Sequence, residues 1–70
     1  MTTHEYQVTG MTCGHCELSI REEVELIDAI AEIRVSAQDG TLSVSGPGPI
    51  DEQAVLAAVA EAGYSAVKTS

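Results

Sequence analysis

Hydrophobic and polar positions alternate in "HEYQVTG" (4–10), with Tyr6 and Val8 on one face and Gln7 and Thr9 on the other. A period of two is that of a strand with one side buried. After Cys13 the period lengthens. Cys16, Ile20, Val24 and Ile27 fall at i, i+4, i+8 and i+11, the stripe of an amphipathic helix. Glu17, Arg21, Glu22, Glu25 and Asp28 lie largely off that stripe, and the pattern predicts a helix over 14–28.

Alternation returns in "IAEIRVSA" (30–37), where Ile33, Val35 and Ala37 share a face. Asp39-Gly40 follows, a hairpin signal for a type I′ turn, since glycine tolerates a positive φ. "TLSVS" (41–45) alternates again with Leu42 and Val44 inward, predicting an antiparallel pair. "GPGP" (46–49) is expected to continue neither strand nor helix. Asp51 is then a candidate N-cap, with Ile50 and Val55 placed for a hydrophobic staple. Val55, Leu56 and Val59 form the apolar stripe of this second helix, Gly63 is the expected left-handed residue after it, and "YSAVK" (64–68) reads as a last strand.

The order is βαββαβ. Two right-handed crossovers with this order give a ferredoxin-like sandwich of the α+β class: a four-stranded antiparallel sheet with two helices on one face. Many activities share that architecture, so function has to come from a site.

Composition narrows the field. Seventy residues predict a single domain over 1–70, without Phe or Trp and with 44% hydrophobic residues. Residues 1–12 lack the apolar run of about 7–15 residues that a signal peptide needs. "AVLAAVA" (54–60) falls far short of the roughly 20 residues that span a bilayer, so no membrane insertion is expected. These features read as a soluble, cytoplasmic protein, where a close cysteine pair favours metal binding or catalysis over a structural disulfide. Eleven acids against three bases give a net charge of −8, which argues against nucleic acid as a partner, because phosphates need Lys and Arg.

The chemistry lies in "GMTCGHCELSI" (10–20), which holds both cysteines of the chain, Cys13 and Cys16. The predicted elements place Cys13 in the loop leaving the first strand and Cys16 in the first turn of the first helix. Unpaired N–H groups and a partial positive charge there favour thiolate, and Glu17 opposes them. Four readings compete. A thiol–disulfide oxidoreductase also carries C-x-x-C at a helix start, typically with Trp before the pair and Pro inside it; here Thr12 and Gly14-His15 stand in those places. A closed zinc site wants four ligands, and His4 lies roughly 15 Å or more down a strand rising about 3.3 Å per residue. Plain core packing accounts for Cys16 but not for Cys13. Cu(I) is soft, is satisfied by two thiolates and leaves room for an incoming cysteine. A bis-thiolate Cu(I) centre is an anion, which a helix N-terminus suits.

"GMTCGHC", an acidic amphipathic helix and "EAGY" (61–64) together resemble the heavy-metal-associated (HMA) domain family over essentially the whole chain. They look most like its bacterial cytosolic copper chaperones of the CopZ type. The resemblance implies the same βαββαβ fold, Cu(I) held by Cys13 and Cys16, and no enzymatic activity. It also implies delivery by ligand exchange to the similar domains of a copper-exporting P-type ATPase. Met11 matches a methionine that packs beneath the metal loop and is not a ligand. Tyr64 matches a residue close to the metal site. His15 matches a histidine that tunes the site or ligates when a homodimer shares copper. The alternatives inside the family are an excised amino-terminal domain of a copper ATPase and a mercury-binding relative; a chain that starts with Met and stops soon after the last strand favours the stand-alone protein. Zinc-exporting relatives usually carry Asp where Thr12 stands. Departures from the pattern are Ala29 in place of a usual glycine, Leu18 at a usually polar position, and the short, stiff "GPGP".

Overall fold

The computed structural model describes residues 1–11 and 14–69. Its elements run β1 (Thr2–Thr9), α1 (Gly14–Val24), β2 (Glu32–Ser36), β3 (Thr41–Gly46), α2 (Glu52–Glu61) and β4 (Ser65–Lys68). The strands form one antiparallel sheet in the order β2-β3-β1-β4. Both helices pack on one face of it, α1 against β2 and α2, and α2 against β4. This is the ferredoxin-like sandwich that the periodicity predicts.

The alternation explains which face the helices cover. Tyr6 stands opposite Leu42, and both are buried, as are Val8 and Val44. Thr3, Glu5, Gln7 and Thr9 point to the open side and are exposed. From the helices, Ile20, Val24, Val55 and Val59 close the same core without exposed surface. Each such side chain contributes about 1.5–3 kcal/mol by leaving water. Ala58 also belongs to the buried stripe of α2, whereas Leu56 is only partly covered.

Several boundaries differ from the sequence reading, each for a local reason. The α1 helix ends at Val24, not 28, because the chain tightens into three-residue turns: Ile27 N–H donates to Val24 O at 3.0 Å and Ile30 N–H to Ile27 O at 3.2 Å. Ile27 remains packed against the core. The β2–β3 connection is not the type I′ turn expected from Asp39-Gly40. It is a four-residue loop, Ala37–Gly40, in which Gly40 has φ +68° and Asp39 has no positive φ. Gly46 was expected outside the strands but is the buried last residue of β3, opposite Thr2. A Cβ there would collide with the Ala29 carbonyl oxygen, so glycine is what lets the α1–β2 connection cross the sheet.

The second helix matches its signals closely. Asp51 accepts from Gln53 N–H at 2.9 Å, and Ile50 and Val55 are both buried beside this cap. At the other end Gly63 takes φ +95°. Tyr64 N–H donates to Val59 O at 3.1 Å and Gly63 N–H to Ala60 O at 3.0 Å, the paired bonds of a Schellman cap.

Candidate metal centre

Strand pairing brings three connections to one end of the molecule. Gln7, near the end of β1, faces Thr41 at the start of β3, and Thr9 faces Ser65 at the start of β4. The segment between β1 and α1, the hairpin loop 37–40 and the turn before β4 therefore leave the sheet side by side.

Cys16 lies in the first turn of α1 and is 6% exposed, in line with the apolar stripe that continues through Ile20 and Val24. Cys13, with Thr12, lies outside the described residues, so the pairing of the two thiols remains as the sequence states it. Met11 is buried in the same core cluster as Cys16, the packing role that the resemblance implies. His15 is exposed. Tyr64 is half-buried and stands over Gly10, where an added Cβ would come within 3.4 Å of its ring. Gly10 has φ +97°, which turns the chain out of β1 toward the cysteines. The fold thus gathers Met11, Cys16 and Tyr64 at this end. His4 stays away from it, in the lower half of β1 opposite Val44, with its Nδ1 at 3.1 Å from the Tyr6 hydroxyl.

One interaction at this end was not visible in the sequence. The Glu17 carboxylate crosses to the hairpin loop and accepts from Ala37 N–H at 2.6 Å. The same loop is held from the other side: Val8 N–H donates to Gly40 O at 2.7 Å, and Gln7 Nε2 donates to it at 2.9 Å. Periodicity shows only that Glu17 is off the apolar stripe; its partner is 20 residues away, and no spacing rule connects them.

A surface hollow of about 390 Å³ lies elsewhere, on the open face of the sheet among Glu5, Arg34, Ser43 and Thr69. It holds no cysteine. Arg34 at its rim pairs with Glu32 at 3.1 Å, a solvent-exposed contact of little energetic weight.

What the described geometry offers is a buried thiol in the first turn of a helix, near the positive-φ Gly10 that leaves β1. The helix end favours an anion such as a thiolate-bound metal, while burial among apolar neighbours and the adjacent Glu17 oppose a bare thiolate. Comparison with known proteins points the same way. The sequence model of the heavy-metal-associated domain matches residues 5–65. Over 60 residues the chain is 35% identical to the mercuric reductase of Acidithiobacillus ferrooxidans, covering 86% of this chain and 11% of that protein. Over 66 residues it is 32% identical to a zinc-transporting ATPase of Synechocystis, covering 93% of this chain and 9% of that protein. The chain therefore spans about a tenth of the length of these relatives. The structure of a CopZ metallochaperone superposes with a TM-score of 0.86 at 25% identity, covering 94% of this chain and all of that one.

Proposed function

The chain belongs to the heavy-metal-associated domain family, and from that premise we propose that it is a cytoplasmic carrier of Cu(I). Cys13 and Cys16 hold the ion as two thiolates, and a P-type ATPase metal-binding domain receives it. The family itself is a metal-binding one whose members also sit within an enzyme and an ATPase. Copper is the narrower reading. The observation that carries it is the position of Cys16: a nearly buried thiol in the first turn of α1, three residues after Cys13. Two thiolates suffice for Cu(I) but not for a closed zinc site. Met11 packs into the core and His15 is exposed, which supports a two-ligand centre with both side chains outside it.

Transfer follows from the same chemistry. A cysteine of the partner domain adds to the two-coordinate ion, giving a three-coordinate intermediate, and one resident thiolate then leaves. Copper stays Cu(I) throughout, so no oxidant or reductant is required. A copper-bridged homodimer, with His15 near the shared ion, is the variant expected when no partner is present.

The test is an anaerobic titration of the reduced protein with Cu(I) against a competing chelator. Binding of one ion, lost in both Cys13→Ser and Cys16→Ser, is expected. Weak binding together with disulfide reductase turnover would reject the carrier in favour of an oxidoreductase. A second reading rests on the short coverage of the relatives, which matches a metal-binding domain of a longer transporter or reductase. Tighter binding of Zn²⁺ or Hg²⁺ than of Cu(I), measured in the same competition, would favour it.

A further inference from the structure

The segment carrying the cysteines is attached to the β2–β3 hairpin loop from both sides. Before it, Val8 N–H and Gln7 Nε2 both donate to Gly40 O. After it, the Glu17 carboxylate, one residue beyond Cys16, accepts from Ala37 N–H. Asp39 N–H donates to Ser36 Oγ at 3.3 Å, and Gly40 N–H to Ser36 O at 2.9 Å, which hold the loop together internally. A strand end and a helix start that share the core are thus also tied to four consecutive residues elsewhere in the chain.

We propose that the 37–40 loop is a bracket that sets the span of the cysteine segment, and that Glu17 is the positioning residue on its helix side. The inference rests on the Cu(I) reading above. The physical reason is that a two-thiolate site requires its sulfurs at one separation, one thiol coming from the loop and the other from α1. Holding the first turn of α1 in place before the metal arrives lowers the ordering cost of binding. The Glu17 bond suits this task. A carboxylate accepting from an amide is stronger than a neutral pair, and its loss would leave a half-buried N–H unpaired. The contact also occupies the carboxylate of the residue next to Cys16 in sequence with a backbone donor. Gln7 has a lesser part, because Gly40 O keeps its bond from Val8 when the side chain is removed.

Three substitutions separate the bond from the charge. Glu17→Gln removes the charge and keeps an oxygen that reaches Ala37. Glu17→Asp keeps the charge and shortens the reach, and Glu17→Ala removes both. Two readouts are taken on full-length reduced protein: Cu(I) affinity by chelator competition, and amide hydrogen exchange at Ala37. We expect Glu17→Asp and Glu17→Ala to speed exchange at Ala37 and to weaken Cu(I) binding about three- to tenfold, the scale of lost preorganisation. Glu17→Gln should stay near wild type in both. Faster exchange at Ala37 with Cu(I) affinity unchanged would make the bond purely structural and overturn the proposal. So would Glu17→Gln weakening Cu(I) as much as Glu17→Ala. Wild-type protein that fails to bind Cu(I) through its cysteines would instead defeat the proposed function, and the bracket with it.

Discussion

At the start of α2, Asp51 folds back onto the helix and accepts from Gln53 N–H, while Ile50 is buried just before it. At the start of α1, the residues are Gly14, His15 and Cys16, and the first acid, Glu17, sends its carboxylate away to Ala37. Both helices carry an acid in the first turn, Glu17 and Glu52, and both expose the same positive end of a backbone dipole. The start of α2 is closed by its own Asp51 side chain. The second difference is chemical: α1 carries a thiol, Cys16, in its first turn, whereas α2 is preceded by a carboxylate cap. Under the proposed function, one fold uses the same helix-end electrostatics once for structure and once for cargo.

That contrast is weakest where the two helices share a floor. Ile20 is wholly buried between the sheet and the helices, one turn below Cys16. Ile20→Ala should cost about 3–4 kcal/mol of unfolding free energy, by lost burial and the cavity left behind. Urea denaturation of the apo protein measures it. For a chain of this size that is a large share of the total, so the variant should also lose protection at both helix starts in hydrogen exchange. A loss confined to α1 would mean that the two ends are less coupled than their common core suggests.

Asp51→Ala separates the two ends. It removes the cap of α2 and should cost about 1 kcal/mol in the same denaturation measurement. Cu(I) affinity should not change, because the cap lies at the end of the sandwich opposite the cysteines. A fall in Cu(I) affinity matching the fall in stability would show that the metal end depends on global stability and not on its own local bracing.

How much of this was legible in the sequence follows from the range of each interaction. The α2 cap, the Schellman glycine and the apolar stripes are local, and the residues that make them sit within a few positions of one another. The cysteine pair was legible for the same reason. The hairpin was located correctly, but its turn type was not, since Asp-Gly also fits a four-residue loop in which only the glycine is left-handed. Gly46 looked like a breaker because its requirement comes from Ala29, across the sheet edge, and not from its neighbours in sequence. The Glu17–Ala37 bond was hidden for a similar reason: it needs the position of α1 over β2, which periodicity does not give.

A pH experiment sharpens the structural end further. Burial raises the pKa of Tyr6 above its ordinary value, and the carboxylates of Glu52 and Asp51 add to the effect. Its hydroxyl is paired with His4. The folded state therefore prefers neutral Tyr6. That stability is fully present below about pH 10, the unfolded value, and is lost as pH rises through the higher folded value. The urea midpoint of the wild type should fall as pH is raised above 10, and that of Tyr6→Phe should fall less. Parallel curves for the two proteins would remove Tyr6 from the account. Tyr64, half-buried over Gly10 at the metal end, is present in both proteins and cancels from the comparison.

The smallest effect is expected at Leu18, and it tests the metal end without touching its ligands. Leu18 is 54% exposed, two residues after Cys16 and on the side of α1 away from the buried stripe. An exposed leucine stabilises little, so Leu18→Gln should change unfolding free energy by less than about 0.5 kcal/mol. Cu(I) affinity should also hold, since neither the helix start nor the Glu17 bond is altered. Contact with another protein is the role this variant tests. Glu22 and Glu23 follow it along α1 and Glu25 comes just after the helix end, so an approaching domain would meet an apolar point beside a negatively charged surface. Copper transfer to an ATPase metal-binding domain is the measurement. A slower transfer at unchanged stability and affinity would place the docking surface on α1; an unchanged rate would leave Leu18 as an ordinary exposed leucine.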